Sequence, residues 1–348
     1  MKIRYLETKK SIGRVICHDI TKIEKDSFKG PLFKKGYRIR EEDVEILLDL
    51  GKKHIYALEL EQEELHEDEA GMRIAEALHG EGLTLKGPAE GKVELLAQQK
   101  GLLKVDVAKL NKINSLTDVV VATLHTNTAV ETGEKVAGAK VIPLVVKKEV
   151  VEEVESLCVG GAFPLKVLPY GKYKMGGVIT GQEVLEGRIT DGFSPVLREK
   201  ASYFAMEGPE ILYTGDDRES IKKSILELLS RGCDLIVVTG GMSVDPDDVT
   251  PAGIRSTGAH IIKYGAPALP GAMFMLAYKN GIPIVGLPAC AMFFHVTVFD
   301  LILPRIVAGE SITSHDIIAL GHGGLCRQCE TCFYPRCSFG KGVNQGGI

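Results

Sequence analysis

One loop of the sequence gathers the residue types that bind a phosphate group together with a divalent cation. It follows an apolar run and begins with Thr239, Gly240, Gly241 and Ser243. Adjacent glycines let backbone N–H groups approach an anion, and the two hydroxyl groups add donors. Three carboxylates then fall within four residues, at Asp245, Asp247 and Asp248. These carboxylates repel one another unless a cation joins them, so the loop predicts phosphate bound with Mg²⁺, with an acidic surface turn as the alternative.

Four cysteines near the end of the chain form a second group with metal-binding chemistry. They are Cys326, Cys329, Cys332 and Cys337, in the spacing C-x2-C-x2-C-x4-C. Four thiols this close are hard to explain by packing, and disulfides are disfavoured in the cytosol. Bacterial ferredoxins use a C-x2-C-x2-C run for three ligands of one four-iron, four-sulfur cluster. The spacing therefore predicts a metal site, and it leaves an iron–sulfur cluster and a compact four-cysteine zinc site both open.

The elements around the acidic loop predict an α/β domain over residues 172–309. Apolar strands alternate there with helices, which is typical of a three-layer sandwich with a mostly parallel sheet. Ligands of such sheets bind beyond the carboxyl ends of the strands, so the loops after Thr180, Thr239 and Gly286 should form the site. Further helices are expected over Met273 to Tyr278 and from about Ala289 to Leu303.

The rest of the chain has a different pattern. Residues 1–168 predict an α+β region with a β-rich subdomain at about 87–146, where apolar runs are punctuated by turn residues. Nothing in residues 1–150 forms a recognised catalytic group. Residues 310–348 form a glycine-rich tail that carries the cysteine cluster.

The charge balance argues against nucleic acid or a membrane as a partner. The chain has 42 Lys and Arg against 46 Asp and Glu, a net charge of −4, so it has no excess positive charge for a phosphate backbone or an acidic membrane. Its first ten residues are charged and lack the apolar run of a secretory signal. We therefore expect a cytoplasmic protein with a small-molecule partner.

The loop from Thr239 to Thr250 resembles the signature of a known domain family. It reads Thr-Gly-Gly-Met-Ser-Val-Asp-Pro-Asp-Asp-Val-Thr. This is similar to the molybdopterin-binding domain of the molybdopterin molybdenumtransferases, the gephyrin E-domain, the molybdopterin adenylyltransferases and the competence-damage-inducible proteins. Other segments match in the family's order: Thr180-Gly-Gln-Glu183, Gly187-Arg-Ile-Thr-Asp191, Asp216-Asp217, Pro270-Gly271 and Gly286-Leu-Pro288.

The resemblance implies an enzyme of molybdenum or tungsten cofactor biosynthesis, of the molybdenumtransferase kind. Molybdopterin or its adenylated form would lie over these loops with Mg²⁺, and molybdate or tungstate would be inserted into the dithiolene. The catalytic residues carried over are Asp245, Asp247 and Asp248. The cofactor-binding residues carried over are Thr180, Gly181, Glu183, Asp191, Thr239, Gly240, Gly241, Ser243, Thr250, Pro270, Gly271, Gly286, Leu287 and Pro288. The family also implies a homo-oligomer, with a molybdoenzyme or another maturation protein as a candidate partner.

Two departures from the family leave other functions open. Gly286-Leu-Pro-Ala-Cys-Ala291 stands where the family often has Gly-Leu-Pro-Gly-Asn-Pro. The N-terminal half resembles the molybdenumtransferases at Gly13 to Ile20, but it lacks their Met-Asp-Gly-Tyr-Ala segment. One alternative is a non-catalytic molybdopterin carrier or redox sensor. Another is a pyrophosphatase or amidase similar to the competence-damage-inducible proteins. Cys290 is either an inert thiol or a thiolate favoured by a helix N-terminus.

Overall fold

The computed structural model describes residues 2–24, 28–89, 91–161, 163–242 and 249–342. The chain divides into two compact units. The first comprises Met1–Gln99, Leu103–Leu124 and Val130–Val167, and the second comprises Lys100–Leu102, His125–Ala129 and Leu168–Ile348.

Short strands dominate the first half of the chain, in keeping with an α+β region. The strands are β1 (Lys2–Glu7), β2 (Val15–Ile16), β3 (Ile20–Glu24), β4 (Phe28–Phe33), β5 (His54–Glu59), β6 (Glu64–His66), β7 (Leu83–Ala89), β8 (Lys92–Ala97), β9 (Gly101–Val105), β10 (Val119–Thr123), β11 (Thr128–Val130), β12 (Lys135–Val141), β13 (Val145–Lys147) and β14 (Leu165–Pro169). The helices are α1 (Asp43–Asp49), α2 (Glu67–Leu78), α3 (Val107–Asn114) and α4 (Lys148–Leu157), with 3-10 turns at Thr8–Lys10 and Val159–Gly161.

These strands form several small sheets. The orders are β1-β5-β2, β10-β12-β8-β7 and β11-β9-β14, with β13-β6 and β3-β4 as pairs. Helix α2 buries Ala70, Ile74 and Leu78 in one apolar core with strands of the four-stranded sheet. His66 caps this helix by accepting the Asp68 N–H at 3.2 Å. The acidic stretch around His66 is therefore a helix start.

The second unit is built on one mixed sheet. Its strands are β15 (Lys174–Thr180), β16 (Glu207–Thr214), β17 (Leu235–Thr239), β18 (His260–Tyr264), β19 (Met275–Lys279) and β20 (Ile282–Leu287). Its helices are α5 (Gln182–Leu185), α6 (Phe193–Tyr203), α7 (Arg218–Ser230), α8 (Thr250–Ser256), α9 (Val298–Val307) and α10 (Ser314–Ile318), with 3-10 turns at Ala289–Met292 and Ala319–Gly321. The order is β16-β15-β17-β20-β19-β18. Strands β16, β15, β17 and β20 run parallel, and β19 pairs antiparallel with both β20 and β18.

The alternation of side chains along β17 shows that helices cover both faces of this sheet. Leu235 and Val237 lie in a core that includes residues of α6 and α9. Ile236 and Val238 lie in a separate core with residues of α7 and α8. Successive strand residues point to opposite faces, so the two cores are the two sides of one sheet. The predicted three-layer α/β fold with a mostly parallel sheet is confirmed.

Two predicted helices of this unit are wrong in type or extent. Met273 to Tyr278 is mostly strand β19, which pairs antiparallel with β20. A short apolar run does not separate a strand from a buried helix, and the pairing decides it. The helix expected from Ala289 to Leu303 is divided into the 3-10 turn Ala289–Met292 and α9. Helix α9 begins only after Thr297, which caps it together with Asp300 in a capping box.

The tail packs onto the second unit. Ile312, Ile317 and Phe339 are buried in the same core as α6 and α9. The Leu269 N–H donates to the Gly324 carbonyl at 2.7 Å, and the Cys326 N–H donates to the Leu269 carbonyl at 2.9 Å. These hydrogen bonds hold the backbone at Gly324 and Cys326, where the cysteine segment begins. Over the part of the chain that the structure describes, no helix has the length and apolar character needed to cross a membrane.

Candidate functional site

A cavity of about 540 Å³ opens where strands β15 and β17 end. Parallel strands place their carboxyl ends at one edge of a sheet, and the loops that follow meet there. The structure brings six of the predicted cofactor-binding residues to this cavity: Thr180, Gly181, Glu183, Asp191, Gly240 and Gly241.

Glycine is required where the loops after β15 and β17 meet. Gly240 has a φ of +83°, and Gly241 has a φ of +50°. A Cβ atom on Gly240 would lie 2.5 Å from Thr180 Oγ1 and 2.6 Å from the Thr180 carbonyl oxygen. The position therefore excludes a side chain on both conformational and steric grounds. Gly240 and Gly241 therefore present backbone without side chains at the end of the sheet, which a ligand can approach closely. We call these two residues the glycine floor.

Three threonine hydroxyls next to this floor lack a hydrogen-bond partner among the described residues. They are Oγ1 of Thr180, Thr239 and Thr250, and all three are buried. The Thr250 N–H donates to the Gly241 carbonyl at 3.2 Å, which ties the start of α8 to the same loop. Buried polar groups are nearly always paired, and an unpaired one costs about 1–3 kcal/mol. Of the three threonines, Thr180 lines the cavity, whereas Thr239 and Thr250 are fully buried.

Acidic side chains form another part of the wall. Glu183, Asp191 and Asp216 line the cavity. The described residues that line it include no lysine, arginine or histidine. An anionic ligand would therefore meet uncompensated negative charge, and a bound cation would remove that repulsion. The described carboxylates do not converge closely enough to hold such a cation by themselves.

Two of these carboxylates also hold the backbone of the site. Asp216 Oδ2 accepts the Gln182 N–H at 2.8 Å, which fixes the first turn after β15. Asp191 accepts the Phe193 N–H at 2.7 Å, the Ser194 N–H at 3.1 Å and the Tyr213 hydroxyl at 2.9 Å, and it also accepts the Ser194 hydroxyl. Burial opposes ionisation of Asp191, but these donors outweigh it and lower its pKa. The Asp191 carboxylate therefore already accepts hydrogen bonds from four donors of the protein.

The remaining predicted residues lie outside the described cavity wall. Ser243, Asp245, Asp247 and Asp248 lie outside the described residues. Thr239 and Thr250 are fully buried next to the glycine floor. Five predicted residues of the later loops do not line the cavity: Pro270, Gly271, Gly286, Leu287 and Pro288.

These later loops hold the scaffold through close packing. A Cβ on Gly286 would lie 2.6 Å from Met242 Cε, so this glycine makes room for the side chain that follows the floor. A Cβ on Gly271 would lie 2.9 Å from the backbone nitrogen of Val298, and that N–H donates to the Pro270 carbonyl at 3.2 Å. Leu287 is part of the core. The matching sequence here positions α9 and the glycine floor.

Eight residues of the cavity wall were not among the predicted site residues: Val184, Ile189, Thr190, Gly192, Phe193, Asp216, Ala289 and Met292. Asp216 belongs to an acidic pair that matched the family, and that match was the available signal. Ala289 and Met292 line the cavity from the 3-10 turn after β20, and no signal in the sequence identified them. Cys290 lies between them, and burial raises the pKa of its thiol. A neutral thiol is therefore expected near pH 7.

The four C-terminal cysteines line a second cavity of about 260 Å³. All four thiols are free of disulfide bonds. In the described part of the chain, no three His, Cys, Asp or Glu side chains converge closely enough to hold a metal ion. The thiols thus surround a space instead of meeting at one point.

Two segments match known family models. Residues 176–308 match a model described as a probable molybdopterin binding domain. Residues 5–59 match a model described as a domain of unknown function (DUF8806). The segment that matches the first model includes most of the β15–β20 sheet and the residues that line the 540 Å³ cavity.

Curated relatives and solved structures are similar over part of the chain. A CinA-like protein of Mycobacterium sp. (strain MCS) is 34% identical over 90 residues, and one of Mycobacterium avium (strain 104) is 35% identical over 77 residues. These alignments cover 26% and 22% of this chain, and only 21% and 18% of the relatives' own lengths.

Among solved structures, CinA of Thermoplasma acidophilum aligns with a TM-score of 0.35 and 15% identity, over 39% of this chain and 99% of its own. The molybdopterin biosynthesis enzyme MoaB of Thermus thermophilus aligns with a TM-score of 0.32 and 20% identity, over 40% of this chain and 98% of its own.

Proposed function

We propose that this protein binds molybdopterin, or its adenylated form, in the cavity at the ends of β15 and β17. The observation that supports this most is the set of three unpaired threonine hydroxyls around the Gly240–Gly241 floor, inside a domain of the molybdopterin-binding family. Backbone N–H groups and hydroxyls are suited to the terminal phosphate of such a pterin. The proposed reaction is insertion of molybdenum or tungsten, supplied as molybdate or tungstate, by a molybdenumtransferase-like enzyme.

Each part of the site has a separate task in this proposal. The glycine floor and the hydroxyl of Thr180 hold the phosphate, and the buried Thr239 and Thr250 support the glycine floor from behind. Glu183 and Asp216, together with the carboxylates of the Ser243 to Asp248 segment, hold Mg²⁺, which supplies positive charge between the phosphate and these acids. Asp245, Asp247 and Asp248 orient the incoming oxyanion. Positioning and electrostatic stabilisation would then account for most of the rate.

Two other functions use the same cavity. The CinA-like relatives favour a pyrophosphatase or amidase, since they are 34–35% identical over their short alignments. The absence of the Met-Asp-Gly-Tyr-Ala segment favours a non-catalytic carrier or redox sensor. Self-association and docking to a molybdoenzyme or another maturation protein belong to the same proposal. The four-cysteine cavity is not required for any of these functions.

Molybdate-dependent activation of a cofactor-deficient molybdoenzyme tests the transferase. The wild-type protein should support activation, while Asp245→Ala and Asp248→Ala should abolish it and leave molybdopterin binding within a few-fold of wild type. Glu199→Ala is the control, because Glu199 is an exposed carboxylate on α6. Binding without activation by the wild type would identify a carrier, and hydrolysis of a dinucleotide would identify the pyrophosphatase. Absence of molybdopterin binding would overturn all pterin-based functions.

A further inference from the structure

We propose that the cavity of the four C-terminal cysteines, Cys326, Cys329, Cys332 and Cys337, holds a four-iron, four-sulfur cluster. This site is distinct from the proposed pterin cavity, and it does not depend on the proposed function. Both the spacing of the cysteines and the shape of the space between them support it. The spacing C-x2-C-x2-C is one that supplies three thiolates to a single cluster, and Cys337 supplies the fourth here.

The size of the cavity agrees with a cluster better than with a single zinc ion. Four thiolates bind zinc at about 2.3 Å, which brings their sulfur atoms within roughly 4 Å of one another and leaves no space between them. The four cysteines instead line a common space of about 260 Å³. The described cysteine side chains do not converge on a single ion, as a zinc site would require.

The walls of this cavity have the apolar character that iron–sulfur clusters commonly meet in proteins. Phe293, Phe294, Val296, Phe333 and Phe339 line it beside the thiols. Phe339 is buried in the core of the domain, whereas Phe293 and Phe333 are exposed at 77% and 61%. The inner wall is therefore rigid, and the outer rim gives access from solvent. A low-dielectric wall and limited solvent both tune the potential of a bound cluster.

Hydrogen bonds and close packing hold the backbone of the tail in place. The Gln328 N–H donates to Cys326 Sγ at 3.5 Å, and Gln328 itself has a φ of +52°. N–H···S bonds of this kind stabilise metal-bound thiolates. Close to the last thiol, the Tyr334 hydroxyl donates to the Asp300 carbonyl at 2.9 Å. A Cβ on Gly340 would lie 2.4 Å from Leu301 Cδ2, so the end of the segment is packed tightly on α9.

Loading the site is a ligand exchange that balances without an added oxidant. Two ferrous ions, two ferric ions and four sulfides assemble with four thiolates into a cluster with a total charge of −2. Each thiol gives up one proton as its sulfur bonds to iron. Arg327 also lines the cavity and supplies a positive charge beside the anionic product.

Metal content of the full-length protein is the deciding measurement. Protein purified without oxygen is treated with equal amounts of ferrous and ferric salts plus sulfide, and parallel samples receive Zn²⁺ alone. We expect about four irons and four sulfides per chain, with a broad absorption near ~400 nm. Electron paramagnetic resonance after dithionite reduction should show the one-electron-reduced cluster.

Variants then assign the ligands. Cys329→Ser and Cys332→Ser should reduce iron from about four per chain to below one, and both side chains are exposed, so the protein should stay folded. Cys17→Ser is the control and should keep the full cluster, since Cys17 lies in the first unit. One zinc per chain with a colourless protein would overturn the proposal. So would an iron content that does not change in the Cys329 and Cys332 variants, or wild-type protein that binds no metal. None of these measurements involves pterin, so they are independent of the proposed function.

Discussion

Replacement of Thr180 by valine separates ligand binding from stability. Thr180 ends strand β15 and is only 4% exposed, and its hydroxyl has no hydrogen-bond partner among the described residues. Valine has nearly the same shape and lacks the hydroxyl. Thr180→Val should therefore stabilise the ligand-free protein and weaken its binding of molybdopterin. Few core substitutions change these two properties in opposite directions.

The expected magnitudes follow from the hydrogen bond that is missing. An unpaired buried polar group costs about 1–3 kcal/mol, so its removal should raise the free energy of unfolding by up to that amount. For a unit of this size, the midpoint of thermal unfolding would rise by roughly 2–12 °C. A hydrogen bond to a charged phosphate contributes about 1.5–3 kcal/mol. Its loss should weaken binding by roughly 10–150-fold.

Thr257→Val is the matched control for this experiment. Thr257 is also buried in the second unit, but its hydroxyl donates to the Ile254 carbonyl at 2.7 Å and accepts the Ala259 N–H at 3.2 Å. Its replacement should lower the free energy of unfolding by about 1 kcal/mol or more, and leave binding unchanged. Denaturant unfolding and calorimetric titration measure the two quantities. Equal destabilisation by both variants, with unchanged binding, would refute the assignment of the Thr180 hydroxyl to the ligand.

Three further predictions concern the walls of the site. Gly240→Ala should lower the free energy of unfolding by about 1–2 kcal/mol because of the positive φ, and by a further ~1–3 kcal/mol because the new Cβ would collide with Thr180. Gly232 also has a positive φ, of +81°, but lies in open space, so Gly232→Ala should lose only the ~1–2 kcal/mol that comes from φ. Equal losses of the two variants in denaturant unfolding would contradict the steric argument. The pKa of Asp191 is lowered, so the stability that its carboxylate contributes is present above about pH 3.9 and is lost as the pH falls through the lower, folded-state pKa. The difference in free energy of unfolding between wild type and Asp191→Asn should therefore become smaller in acid. A difference that does not change with pH would contradict this role of Asp191. Burial raises the pKa of Cys290, so iodoacetamide should modify it more slowly at pH 8 than it modifies free cysteine, as followed by mass spectrometry; faster modification would point to an activated thiolate.

The location of the site could be predicted because it depends on local sequence. An apolar run followed by Gly240 and Gly241 specifies a strand end with a bare turn, and parallel strands place such turns at one edge. The structure accordingly brings Thr180, Gly181 and Glu183 next to the glycine pair. Motif order along the chain was enough for this part.

Contacts between distant segments could not be predicted in the same way. Met275 pairs with Gly286 in an antiparallel register. The short apolar sequence around Met275 does not predict this pairing. The 3-10 turn that carries Ala289 and Met292 to the cavity wall depends on where Thr297 starts α9. The unpaired hydroxyl of Thr250 is likewise visible only after packing, because its neighbours come from separate segments.

Binding and chemistry are assigned to different parts of this site, and this makes the competing functions separable. The described wall, with Thr180, Gly181 and the glycine floor, would serve a transferase, a carrier and a pyrophosphatase equally, because each must hold a pterin or nucleotide phosphate. In the proposed transferase, Asp245, Asp247 and Asp248 would act on the incoming oxyanion. Thr180→Val should therefore raise KM with little change in kcat, since it removes binding shared by ground state and transition state. Asp248→Ala should lower kcat. If Thr180→Val instead lowered kcat and left KM unchanged, the hydroxyl would act on the reacting group, and the phosphate would have to be placed elsewhere in the cavity.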